Sequence, residues 1–98
     1  MKARSSLTQK AAEGLAIQAL TFIAGDGERL GRFLATTGVG PAQIRAAAQQ
    51  PGFLVGVLEF LAGDERLLQE FAAEAGFDPT YVGKALAALG GYWERDIL

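Results

Sequence analysis

Carboxylates are the plausible catalytic groups of this sequence, which contains neither His nor Cys. It therefore has no imidazole general base, no thiolate nucleophile, no disulfide and no zinc site of the Cys/His kind. Two aspartates invite comparison. Asp26 follows Gly25, Asp64 follows Gly63, and the two lie 38 residues apart. As chemistry they would be a paired carboxylate site. As structure, each stands between a helix-stopping Gly and a new helical run, where an Asp side chain accepts an orphan N–H of the first turn. Capping is the expectation. No Gly-rich phosphate loop, metal-ligand cluster or nucleophile–base pair accompanies them, so no enzyme, no catalytic residue, no metal and no cofactor is expected.

A second pattern that could carry function is a helix-turn-helix. Leu34 to Ile44 contains a turn Gly (Gly38), an apolar residue after it (Val39) and a branched aliphatic six positions on (Ile44). Ala72 to Val82 repeats that spacing around Gly76. These positions specify a sharp packing angle between two helices. Reading DNA further requires a basic face and side chains that reach base edges. The would-be recognition helix instead offers Pro41, Ala42, Gln43, Arg45 and Ala46, and Asp78 opens its second copy. With a pI near 5.0, nucleic acid is not the expected partner. Ala75-Gly76-Phe77 with Val82, Ala85 and Leu86 also resembles the Gly-Phe loop and second helix of ubiquitin-associated domains, but that fold's third helix has no counterpart.

These motifs need helices to hold them. The 98 residues are half apolar and a fifth charged, the balance of one globular domain. The apolar half leans on Ala and Leu, which lead the helix-propensity scale. A first helix is expected from about Thr8 to Ala24, stopped by Gly25. Asp26 caps a second, ending near Thr37 with Gly38 in the left-handed turn. Pro41 starts a third, to about Gln49. Pro51 starts a fourth, ending at Gly63, and Asp64 caps a fifth, closed by Gly76. Asp78-Pro79 opens a sixth, closed by Gly90-Gly91.

Sliding the chain along itself by 38 residues aligns Leu20 with Leu58, Phe22 with Phe60, Gly25 with Gly63 and Asp26 with Asp64. Leu30 then meets Leu68, Phe33 meets Phe71, Gly38 meets Gly76 and Pro41 meets Pro79. The reading is a single all-α domain over 1–98, a compact bundle of about six short helices. It comprises two pseudo-repeated three-helix units, about 8–49 and about 51–89, with tails at 1–6 and 92–98. The first and fourth helices are apolar nearly all round, which places them at the centre, related by an approximate two-fold. Gly14, Gly31, Gly56 and Gly83 lie mid-helix, where Gly is costly. Close helix approach is the expected return, with Gly56 at the crossing of the central pair.

Charge divides unevenly. Residues 1–49 carry six Lys/Arg against three acids, +3, and residues 50–98 carry three against eight, −5. The N-terminus does not read as a signal peptide. The longest nearly apolar run, Phe53 to Ala62, contains Glu59 and falls short of the roughly 20 residues needed to span a bilayer. Tyr92 and Trp93 follow Gly90-Gly91, either as a lid docked on the core or as exposed interface anchors. The docked lid is the expectation.

The run Ala19 to Ala24, Asp26, Glu28-Arg29-Leu30, Arg32-Phe33-Leu34 and Thr37-Gly38-Val39, with Pro51 to Leu54 and Val57-Leu58, resembles a family of small bacterial proteins catalogued as domain of unknown function 3572. The resemblance covers about Lys10 to Gly90 and implies a short, stand-alone cytoplasmic protein, without an activity to carry over. Arg29, Arg32 and Pro51-Gly52-Phe53 are the parts of it that helix punctuation does not dictate. The expected function is a non-enzymatic protein–protein interaction or adaptor module, or a self-associating one, with Arg29, Arg32, Arg45, Tyr92 and Trp93 as candidate surface. The alternative is a helix-turn-helix nucleic-acid binder with Arg29, Arg32 and Arg45 on phosphates. A carrier holding an apolar ligand between the central helices is a third class.

Overall fold

The computed structural model describes residues 8–89, and all of its regular structure there is helical: α1 (Gln9–Ala24), α2 (Gly27–Thr37), a 3₁₀ turn (Pro41–Gln43) running into α3 (Ile44–Ala47), α4 (Pro51–Ala62), α5 (Glu65–Ala75) and α6 (Thr80–Leu89). Side-chain caps explain the starts of α1, α2 and α5. The Thr8 hydroxyl accepts from the Ala11 N–H at 3.0 Å. Asp26 accepts from Glu28 and Arg29 at 2.8 and 3.3 Å, and Asp64 from Leu67 at 3.2 Å. Both aspartates are the N-caps their sequence context predicts. Gly38 and Gly76 end α2 and α5 at φ 75° and 83°, the left-handed region that an L side chain resists. At the second of these, the N–H groups of both Gly76 and Phe77 donate to the Ala72 carbonyl.

The third helix is shorter than the sequence suggests. Its first turn is 3₁₀, with Gln43 N–H on the Gly40 carbonyl, and regular helix ends at Ala47 rather than near Gln49. Pro51 supplies the reason: the residue before a proline is pushed out of the α region, and Gln50 is extended at φ −96°, ψ 125°. No residue of α3 is buried.

The core is one apolar cluster. It joins Leu15, Ala16, Ala19, Leu20 and Ile23 of α1 to Leu54, Val57, Leu58 and Leu61 of α4, and to Val82, Ala85 and Leu89 of α6. Among the described residues no polar or charged residue is buried. The helices α1 and α4 do pack against each other, but they do not hold the centre alone. The sixth helix packs extensively on both, α2 lies against α1, and α5 lies against α4. The two three-helix units are therefore not equivalent in packing, because α6 joins the core and α3 stays at its edge.

The central pair also departs from expectation at its glycines. A β-carbon on Gly14, Gly31, Gly56 or Gly83 would meet nothing within 4 Å beyond the local helix. Gly56 is not the site of a close α1–α4 crossing. Helix contact is carried by side chains instead.

Candidate interaction surface

Phenylalanines stitch the two halves of the chain together. Phe33 of α2, fully buried, meets Phe60 and Phe53 of α4 edge-on, with ring centroids 5.2 and 5.7 Å apart. Phe71 of α5 reaches Phe22 of α1 at 5.2 Å and Phe77 at 5.1 Å. Edge-to-face and tilted pairs at these separations add roughly 0.5–1.5 kcal/mol beyond burial. The second helix of each half thus inserts its aromatic ring against the first helix of the other.

Two of the three candidate arginines are engaged by this arrangement, Arg29 half-buried and Arg32 at the surface. The Arg29 guanidinium lies 4.0 Å from the Phe22 ring centroid and donates from Nη2 to the Phe22 carbonyl at 2.8 Å. Its Nη1 stands 3.8 Å from Asp26, and its buried Nε has no hydrogen-bond partner. Arg32 donates to the Asp64 carboxylate at 2.9 Å and lies 5.8 Å from the Phe60 ring centroid. The structure thus gives the conspicuous Arg29 and Arg32 an internal use: each spans from α2 to a neighbouring helix or its cap. Arg45 lies apart on α3, exposed, with no ion pair among the described residues. Tyr92 and Trp93 lie outside the described residues, as do the two tails, so the lid and anchor alternatives concern a segment beyond them.

Cap geometry sets the electrostatics. The Arg29 and Glu28 N–H groups hold the Asp26 carboxyl below the ordinary aspartate range. The Arg32 guanidinium, then the Leu67 N–H, does the same for Asp64. The Thr80 N–H, at 2.9 Å, and its hydroxyl, at 2.7 Å, lower Asp78. These are acceptors saturated by donors, not carboxylates poised to take a proton near neutrality. Asp26 and Asp64 do line one polar cleft, with Arg29, Arg32, Arg66 and Glu70. Charge pairing and capping account for them there. Among the described residues no group of three or more acidic side chains is placed to hold a metal ion.

The feature that sequence reasoning did not reach is a groove where α1 and α5 diverge. Ile17, Thr21 and Phe22 form one side, Phe71, Glu74 and Ala75 the other, and Arg29 one end, around about 400 Å³. Ile17 is 42% exposed, on the face of α1 that also carries Lys10, Thr21 and Ala24. The spacing of Ile17 from Lys10 and Thr21, seven and four residues away, is the one signal of its exposure; that α5 leaves a groove beside it is not written in the periodicity of α1.

Helices packed on a shared apolar core, capped by aspartates and opened by one apolar groove, define a small all-α domain. No helix among the described residues is long and apolar enough to cross a membrane. The chain belongs to the family described as Protein of unknown function (DUF3572), whose model matches residues 9–92. No curated protein and no solved structure matches it.

Proposed function

We propose that this chain is a non-enzymatic protein-interaction domain and that the groove between α1 and α5 receives its partner. The observation that carries the reading is Ile17, an apolar side chain left open beside Phe22 and Phe71. Apolar concavities with a few polar groups at the rim are where partner side chains anchor. The rim fixes the partner's chemistry. Arg29 is balanced by Asp26, whereas Glu74 has no ion pair among the described residues. The occupant is therefore a segment of another protein presenting a bulky apolar side chain beside a basic one.

A photocrosslinking residue placed at Ile17 tests this in cells, with the same residue at the exposed Gln69 as control. The expected result is a discrete adduct from position 17 that is lost with Glu74→Arg and absent from position 69. No adduct, or the same adducts from both positions, overturns the proposal. Adducts formed only with a second copy of this chain, and with no other protein, overturn the heteromeric reading.

The nucleic-acid alternative has less geometric support. Its recognition helix after Gly38 is the short α3, and the charges of Arg29 and Arg32 are already engaged. After Gly76, α6 presents Lys84 as its only cation. The apolar-carrier class also gains little, since the groove lies at the α1–α5 edge and not between α1 and α4. Duplex DNA at low salt is expected to leave the light-scattering mass unchanged. A mass increase that fades with added salt would restore the nucleic-acid reading.

A further inference from the structure

The halves 8–49 and 51–89 pack extensively on each other, α1 lying against both α4 and α6. Phe33 of the first half sits on Phe53 and Phe60 of the second, and Phe71 of the second sits on Phe22 of the first. Arg32 and Asp64 bridge the halves at 2.9 Å, and α6 packs extensively along α1. The halves also differ in charge, +1 over residues 8–49 against −4 over residues 51–89, which favours the same pairing. Only residues 48–50 separate α3 from α4, and Gln50 is already extended ahead of Pro51.

We infer that this interface is exchangeable: two copies of the chain trade halves to form a dimer in which each groove is built from both chains. Ile17 and Phe22 of one copy then face Phe71 and Glu74 of the other. Every contact between halves is reproduced, because the same surfaces meet. Only the short connection changes, by extending instead of turning back, which is why exchange of an identical element is a low-cost route to a dimer. The inference does not depend on what occupies the groove.

The absence of native cysteine makes the test clean. Two full-length single-cysteine variants, Gln18→Cys and Glu74→Cys, place one thiol on each side of the groove, both at exposed positions. They are unfolded together in guanidinium, refolded at micromolar and at millimolar chain concentration, and treated with a short bis-maleimide. The expected product is a dimer linking position 18 of one chain to position 74 of the other. Its share rises with concentration and vanishes when the folded variants are mixed without unfolding. Thr21→Cys with Ala75→Cys provides an independent pair on the same groove, should either first variant refold poorly. Refolding to monomer at both concentrations overturns the inference. So does a dimer whose links join only like positions, since that is surface association.

Discussion

The buried ring of Phe33 stands edge-on to Phe60, 5.2 Å from centroid to centroid, across the boundary between the two halves of the chain. The offset that aligns the halves carries Phe33 onto Phe71 and Phe60 onto Phe22, and those two rings also lie 5.2 Å apart. Each half supplies one ring to the other.

Truncating either inserted ring should be severe. Phe33→Ala and Phe71→Ala are each expected to cost about 3–5 kcal/mol, the usual range for a buried Phe. That is a large share of the roughly 5–15 kcal/mol that holds a domain folded. Guanidinium unfolding followed by circular dichroism measures it. A loss below 1 kcal/mol at either site would contradict the packing described.

Glycine replacements should split by conformation. Gly31→Ala and Gly83→Ala sit mid-helix with open space for a methyl group, so each should stabilise by about 0.5–1 kcal/mol. Gly38→Ala and Gly76→Ala force a side chain into the left-handed region and should destabilise by about 1–2 kcal/mol. Melting temperatures of the four variants check the opposite signs.

Arg29 should not tolerate lysine. Its planar guanidinium both stacks over Phe22 and donates to that residue's carbonyl, a geometry an ammonium does not reproduce. Arg29→Lys and Arg29→Ala are expected to lower stability alike, by about 1 kcal/mol. Arg45→Ala, on the exposed side of α3, should leave the melting temperature within error.

Acid should loosen the caps. Asp26, Asp64 and Asp78 all have carboxyls held below the unfolded value, so the unfolded chain takes up protons first as pH falls. Their contribution is complete well above about pH 4, the ordinary aspartate range, and is lost as pH drops through the lower folded values. Thermal melts from pH 6 to pH 2 should show the midpoint falling, and the fall should be shallower in Asp26→Asn, where the cap no longer titrates.

Residues near one another in the chain determined a good deal by themselves. Asp26 and Asp64 as caps, Gly38 and Gly76 as left-handed stops, and Pro51 as a helix start each depend on hydrogen bonds or sterics within about four positions. Helix order and the all-α class follow from those signals. Tertiary structure alone decided that α6 and not α3 would join the core, that Arg29 would lie on Phe22, and that Ile17 would face an open groove. The first and last rest on the fit between surfaces distant in sequence, and Arg29 reaches Phe22, seven residues earlier, only because α2 folds back on α1. A broad apolar face, such as that of α1, fits several neighbours equally well until the others are in place.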